Sequence, residues 1–264
     1  GCGTALINGV ALGFANVLDA GPVGIVGASG TGLQELTTLL NRKGVGVSQV
    51  IGVGGRDLSD TIGGIMMKQG ISILSSDPTT ELIVLISKPP SITVIQKILK
   101  DARSSGKPVV VNFFGKDQFR EGNGLFCTET IEDTAEKVLS LIGKNPGPVL
   151  ATNTSTLIKM AHNESERFAK DQKYIRGLFS GGSLCDEAIN VLRKYSQDIY
   201  SNVQTSKKWT LKNGQISKKH SCIDMGEEEF TQSRPHPMID PSYRQDRIIK
   251  EANDPSVAVI LLDV

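Results

Sequence analysis

The sequence predicts an α/β protein with parallel sheets, arranged as two domains of which the second is incomplete at its C-terminus. Three observations predict this. Short runs that are apolar throughout alternate with amphipathic stretches of helical length, a polar segment rich in proline and glycine divides the chain, and three signatures of the first part recur in the same order in the second. A strand without polar alternation is covered on both faces, and a helix between two such strands is the crossover that a parallel sheet requires.

The first domain, 1–145, opens with a small hairpin at Leu6–Gly13, where Asn8-Gly9 has the residues of a type I′ turn. Strands follow at Val23–Gly27, Val47–Val53, Leu82–Ser87, Pro108–Phe114 and Gly124–Cys127. Helices are expected at Thr31–Arg42, Thr61–Leu74, Ser91–Ser104 and Ile131–Ile142. Five parallel strands with helices of about 12 residues between them fit a flavodoxin-like domain.

From Lys144 to Gln172 the composition turns polar, with Asn145-Pro146-Gly147-Pro148 and then Asn163-Glu164-Ser165-Glu166. This marks the boundary and includes a helix around Ser155–Ala169, for which Thr154 or Ser155 is the cap. The second domain, 146–264, then repeats the first. Ser29-Gly30-Thr31-x-x-x-Glu35 is matched by Gly181-Gly182-Ser183-x-x-x-Glu187, and Gly54-x-x-Asp57-Leu58-Ser59 by Gly226-x-x-Glu229-Phe230-Thr231. Asp77-Pro78 before the strand Leu82–Ser87 is matched by Asp254-Pro255 before Val257–Val264. The second copy is longer, with an insertion at Arg234-Pro235-His236-Pro237-Met238-Ile239-Asp240 and a hairpin expected around Asn213-Gly214.

The net charge of +1 provides no basic field for nucleic acid and no acidic field for a cationic partner. No apolar run reaches the roughly 18 residues of a membrane helix, and no signal peptide opens the chain. Four cysteines, Cys2, Cys127, Cys185 and Cys222, lie far apart and suit reduced thiols in a cytoplasmic protein better than disulfides or a metal site. The chain begins at Gly1-Cys2-Gly3 without a methionine and stops just after a strand, which reads as a piece cut from a longer polypeptide.

The strongest chemical signal is Gly24-Ile25-Val26-Gly27-Ala28-Ser29-Gly30-Thr31-Gly32, a strand running through small residues into a helix. Small side chains let an anion approach the backbone, and the first amides of the helix stabilise its charge. Ser29, Gly30, Thr31 and Gly32 are therefore candidate anion ligands, with Thr31 and Gln34 at capping-box spacing. The pattern is neither a Walker A loop nor G-x-G-x-x-G, and a tight turn without a ligand is the alternative. Gly54 and Gly55 end the next strand on the same edge. Arg56 there suits a phosphate or carboxylate and Asp57 suits a helix cap, an ordinary surface ion pair being the alternative. Lys88, aimed by Pro89-Pro90, closes the third strand on that edge, against a simply solvated lysine. Gly181, Gly182 and Ser183 are the second-domain counterparts. Of three histidines, His162 and His220 are expected in solvent, while His236, held between prolines near Arg234 and Asp240, is a candidate site residue.

Together, Ser29-Gly30-Thr31-x-x-x-Glu35, Gly54-Gly55-x-Asp57, Asp77-Pro78 and Lys107-Pro108-Val109-Val110 resemble the CoA-ligase domain of the succinyl-CoA synthetase α subunit. Gly1-Cys2-Gly3 resembles the end of that family's CoA-binding domain, which is expected to be otherwise absent. The second half, with Arg234-Pro235-His236-Pro237-Met238-Ile239-Asp240-Pro241 and Leu261-Leu262-Asp263-Val264, is similar to the FdrA-like branch of acyl-CoA synthetases (nucleoside-diphosphate-forming), found beside genes of ureide and purine breakdown. In these ligases the domain supplies a helix start to a phosphohistidine, the role the resemblance gives to Ser29, Gly30 and Thr31. It also supplies a glutamate, at whose position Lys88 stands here, and the histidine itself, absent from Gly115–Leu125.

The resemblance thus implies an acyl-CoA synthetase-like subunit that handles an acyl group with phosphate or CoA and without a phosphohistidine. Arg56, Lys88 and His236 are its candidate catalytic residues; nucleotide with magnesium is a doubtful ligand and no metal site is expected. A phosphate-dependent acyl or carbamoyl transferase subunit and a non-catalytic scaffold are the alternatives. Expected partners are a small acyl or carbamoyl substrate, other subunits and a second copy in a homo-oligomer, with no nucleic acid and no membrane.

Overall fold

A computed structural model describes residues 3–114, 122–144, 154–203 and 206–263 and divides into two compact units, 1–149 and 150–264. Gly1-Cys2, most of the loop expected to lack the family's histidine, and Asn145-Pro146-Gly147-Pro148 lie outside the described residues.

The first unit begins with β1 (Thr4–Ile7) and β2 (Val10–Gly13), joined through Asn8 and Gly9 at φ 50° and 77°, the left-handed pair that a type I′ turn needs. β3 (Ala20–Ala28), α1 (Gly30–Arg42), β4 (Val47–Gly52), α2 (Ile65–Ser76), β5 (Leu82–Ser87), α3 (Ile92–Arg103), β6 (Val109–Phe113), β7 (Leu125–Cys127) and α4 (Ile131–Leu141) follow. The sheet order is β2-β1-β4-β3-β5-β6-β7, and the last five are parallel, the flavodoxin-like arrangement, with the hairpin added antiparallel to β4. All of β5 and β6 is buried, as continuous apolar runs require. On one face Val26, Ile83, Leu85 and Val111 pack on Met67 and Ile71 of α2 and Ile95 and Ile98 of α3. α1 and α4 pack together as the other helix pair.

One boundary moves. α2 was expected from Thr61 but starts at Ile65, because Gly63 and Gly64 are left-handed at φ 79° and 75°. The buried Asp57 carboxylate then accepts the amides of Met66 and Met67, each at 2.9 Å, so the cap comes from nine and ten residues upstream.

The second unit contains α5 (Thr154–Ser165), β8 (Tyr174–Phe179), α6 (Gly182–Arg193), β9 (Ile199–Tyr200), β10 (His220–Asp224), a single turn α7 (Glu228–Thr231), α8 (Ser242–Ala252) and β11 (Val257–Leu262). Its parallel sheet has the order β11-β8-β10-β9. β8 thus stands to β10 and β11 as β3 stands to β4 and β5. Local details coincide too. Asp77 accepts the Thr79 amide at 2.9 Å and hydroxyl at 2.7 Å, and Asp254 accepts the Ser256 amide at 2.9 Å and hydroxyl at 2.7 Å.

The hairpin expected at Asn213-Gly214 does not form. Neither residue is left-handed. Instead the Gly214 amide donates to Glu229 at 2.7 Å, and its carbonyl accepts from Arg247 at 3.0 Å. That arginine belongs to a buried network in which Glu251 accepts from Arg176 at 3.0 Å, Arg247 at 2.7 Å and Ser217 at 2.5 Å. His220, expected in solvent, is half-buried edge-on to Tyr174, and its Nδ1 accepts the Ile175 amide at 3.2 Å.

Burial would push Glu251 up, but the Ser217 hydroxyl and the two guanidiniums outweigh it and hold the carboxyl below its usual value. Burial and then Arg176 push His220 down. Both groups bind a proton less readily folded than unfolded, so their stabilisation is in place at neutral pH and is lost on acidification. Unfolding followed by the fluorescence of Trp209, the one tryptophan, should show stability falling below the ordinary histidine value of 6.5 and again below the ordinary glutamate value of 4.5. Glu251→Gln should shrink the second phase, to which Asp254 and other carboxylates with lowered pKa also contribute, and cost about 3–5 kcal/mol, since it takes the carboxylate of Arg247 and leaves Arg176 only Asp254.

Candidate functional site

In a parallel sheet every crossover helix begins at the carboxyl edge, and ligands of open α/β sheets bind where successive crossovers part to opposite faces. In the first unit that point lies between β3 and β5. There Ala28 pairs with Ser87, the Val53 amide donates to the Gly27 carbonyl at 2.8 Å, and the Phe114 amide donates to the Ser87 carbonyl at 3.1 Å. These rungs bring the starts of three loops side by side: Ser29–Gly32, Gly54–Arg56 and Lys88–Pro90.

The close approach is a glycine property. A Cβ on Gly27 would lie 2.2 Å from the Ile86 carbonyl oxygen, and one on Gly32 would lie 2.1 Å from Ser29 Oγ. Ser29 is the buried N-cap residue of α1 but makes no side-chain cap. The first helical bond runs from the Leu33 amide to the Ser29 carbonyl at 2.9 Å, so the amides of Gly30, Thr31 and Gly32 precede the helix's own bonding. The expected capping box of Thr31 and Gln34 is not formed. The helix starts one residue too early for it, and Gln34 instead donates to Thr4 Oγ1 at 3.1 Å and the Phe14 carbonyl at 2.9 Å.

The other helix starts of this edge are closed by their own side chains: α2 by Asp57, α3 by Ser91, and α4 by a capping box of Thr130 and Asp133. At α1 the N-cap Ser29 makes no such bond. A Cβ on Gly54 or Gly55 would meet nothing within 4 Å. Arg56 is exposed, with no ion pair of its side chain among the described residues. Lys88 is half-buried, with its carbonyl accepting the Ser87 hydroxyl.

The second unit repeats the edge and fills it. The Met225 amide donates to the Phe179 carbonyl at 2.8 Å, as Val53 does to Gly27, and α6 begins after Gly181, again without a side-chain cap from its N-cap residue. Here the carboxylate of Asp263 accepts the Ser180 amide at 2.8 and 3.0 Å and the Gly181 amide at 2.8 Å. Arg244 pairs with the same carboxylate at 2.5 Å and donates to Ser180 Oγ at 2.6 Å. His236 lies beside it. A Cβ on Gly226 would come within 2.5 Å of His236 Nε2 and 2.8 Å of the Ser180 carbonyl, so only glycine admits the imidazole. Burial lowers the pKa of His236 and Asp263 opposes that; Nδ1 accepts the Met238 amide at 3.2 Å. Of its expected neighbours, Arg234 instead lies over the Tyr243 ring at 4.2 Å and Asp240 accepts the Ser242 amide. His162 is exposed beside Glu166.

The sequence reading missed Asp263 and Arg244. The available signal was an acidic residue closing the apolar run Val257–Leu262.

Comparison with known families gives two matches. Residues 19–115 match the model of the CoA binding domain, and residues 178–264 match the CoA-ligase model. Each model matches one unit of the chain, and the parallel sheets of both units are consistent with a flavodoxin-like CoA-ligase fold. The first match corrects the expectation that the CoA-binding part is absent beyond Gly1–Gly3. The chain is also 47% identical over 264 residues to the uncharacterized protein YahF of Escherichia coli (strain K12), covering 99% of this chain and 51% of that protein. It therefore spans about half the length of that relative. Among the described residues no helix is long and apolar enough to cross a membrane, and no group of three or more His, Cys, Asp or Glu is placed to hold a metal ion.

Gly27→Ala tests the close approach. Its Cβ meets backbone rather than a movable side chain, so the variant should lose about 1–3 kcal/mol in urea denaturation. Gly55→Ala, with open space at that position, should change stability little.

Proposed function

We propose that this chain is a subunit of an acyl-CoA synthetase-like enzyme of the FdrA-like branch, handling an acyl group with phosphate or CoA at the carboxyl edge of its first unit. The observation that carries this reading is the open start of α1. Its N-cap Ser29 makes no side-chain cap among the described residues, and it lies beside the exposed Arg56 and next to Lys88. A phosphoryl or carboxylate oxygen fits there on chemical grounds, because Gly30, Thr31 and Gly32 present amides and Gly54 and Gly55 present no side chain. CoA carries such phosphates. When bound it supplies the thiol that accepts the acyl group.

In this reading the amides of Gly30 to Gly32 hold an anionic oxygen, and Arg56 and Lys88 neutralise the remaining charge. Both units descend from one domain, the second being the shorter copy, with Gly181, Gly182 and Ser183 at the corresponding turn. The protein works in the cytoplasm with other subunits or a second copy of itself, on a small acyl or carbamoyl substrate rather than on nucleic acid or a membrane.

Inorganic phosphate or CoA should raise the melting temperature at fixed ionic strength, corresponding to about 2.7 kcal/mol at a hundred times Kd. Thr31→Asp separates binding from folding. A carboxylate in the first turn suits the helix dipole, so the variant should melt no lower than wild type yet lose the response to phosphate. Melts indifferent to phosphate and CoA would remove the reading.

No phosphohistidine is part of this mechanism. No histidine occurs from Gly1 to Ala161, and the carboxylate of Asp263, which accepts the Gly181 amide, lies near His236. Incubation with labelled ATP or GTP and magnesium should leave no alkali-stable, acid-labile label on the protein. Label that disappears in His236→Asn would restore a relay.

A further inference from the structure

We propose that the outer edge of the second unit's sheet, around Lys207, Lys208, Lys218 and Lys219, is a docking surface for an acidic segment of another protein. The proposal concerns the second unit alone and does not depend on what the first unit binds.

Charges balance over the whole chain, with 29 Lys and Arg against 28 Asp and Glu. Residues 199–223 break that balance: they carry Lys207, Lys208, Lys212, Lys218 and Lys219 and no acid. The fold gathers most of this charge in one place. β9 is the outermost strand of its sheet, and the bridge from Ser201 to Thr210 lays Trp209 and its neighbours along the end of that strand. Lys218 Nζ lies 4.5 Å from the centre of the Tyr200 ring, and Lys208 Nζ lies 4.4 Å over Trp209. The two rings meet edge-on at 5.3 Å, so the four side chains form one row with an ammonium at each end.

Lys219 follows in the chain and bonds Asp198 at 2.9 Å. That bond holds the Asp198 carboxyl below its ordinary value, and the charges of Lys219 and Lys208 add to the effect. Asp198 is therefore already engaged. Among the described residues no carboxylate pairs with Lys207, Lys208 or Lys218, all of which are exposed. The backbone beneath them is fixed. The Ser221 hydroxyl donates to the Lys218 carbonyl at 2.8 Å and accepts its amide at 2.9 Å, and the Trp209 amide closes the Lys207-Lys208 turn on the Ser206 carbonyl at 3.0 Å. Ring faces then steady the ends of Lys208 and Lys218, which leaves less rotamer freedom to lose on binding.

Lysines on a sheet edge can serve only to keep other sheets away. Here the end of β9 is already covered, since the Ser201 amide donates to the Trp209 carbonyl at 3.1 Å and its carbonyl accepts the Leu211 amide at 2.9 Å. The rings also decide the class of partner. A single-stranded nucleic acid would stack its bases on aromatic faces. Tyr200 is only 9% exposed, and Lys208 lies over Trp209, so those faces are taken. Carboxylates need only the ammonium groups.

The test titrates the intact chain with a short poly-glutamate peptide at an ionic strength of about 0.15 M, where only close charges still act. Trp209 is the one tryptophan, so its fluorescence reports on this surface directly. The peptide should change that emission saturably, and added salt should abolish the change. A labelled peptide followed by anisotropy should bind about tenfold or more weakly to a Lys208→Gln, Lys218→Gln double variant. It should bind as to wild type when the exposed Lys100 of the first unit is changed instead, in Lys100→Gln. Wild type that ignores the peptide at that salt would overturn the proposal. So would tighter binding of a mixed-sequence single-stranded DNA of equal charge, or of anionic lipid vesicles, since either names another class of partner. If the double variant binds the peptide like wild type but self-associates, the lysines only guard the edge and the proposal falls.

Discussion

A helix that follows a strand in a parallel sheet starts with amides its own turns cannot satisfy, and all such starts gather at one edge. How each is satisfied decides what that edge can do. Here the answers differ helix by helix. Asp57 reaches forward to α2, Ser91 caps α3, and Thr130 with Asp133 caps α4. Those three starts are structurally spent. At α1 the N-cap Ser29 makes no side-chain cap, and its Oγ lies 2.1 Å from where a Cβ on Gly32 would stand. The glycines that let β3 and β5 approach are thus the same residues that leave donors at the switch point, and stability and binding capacity draw on one local geometry.

The second unit shows how little must change to reverse that outcome. Strand order, the rung between Met225 and Phe179, and the Asp254–Ser256 turn all repeat the first unit. At one register position the first unit has the hydrocarbon of Ile86 and the second the carboxylate of Asp263, which accepts the amides of Ser180 and Gly181 just before α6. The backbone sets where donors gather, and one side chain sets whether they remain available.

Much of this was legible in the sequence because it is local. The apolar run Leu82–Ser87 is the strand β5 as expected, the Asn8-Gly9 turn is left-handed at both residues, and the three paired signatures fall at matching turns. What failed was long-range. The start of α2 depends on Asp57, nine and ten residues before the amides it accepts. The Asn213-Gly214 turn depends on Glu229 and on Arg247, 33 residues away. Asp263 meets Ser180 across 83 residues. No periodicity within a window of sequence encodes such pairings. His220 was missed for the same reason, since a basic neighbourhood along the chain says nothing of Tyr174 beside it in space.

The filled edge also bears on the open one. Asp263 is a carboxylate held by two amides and a guanidinium, which is the kind of group an acyl substrate or a phosphate would present to the first unit. A tethered group acts at an effective concentration of millimolar or above, roughly the range of short flexible linkers, and Asp263 is fixed more rigidly than any linker. On the first unit's edge stand the exposed Arg56 and the half-buried Lys88. Arg56 is solvent-exposed, so it contributes more to drawing the anion in than to holding it, and that contribution weakens as salt rises. Retention then falls to the amides, whose donors are fixed by the fold before any ligand arrives and need no reorganisation to receive it.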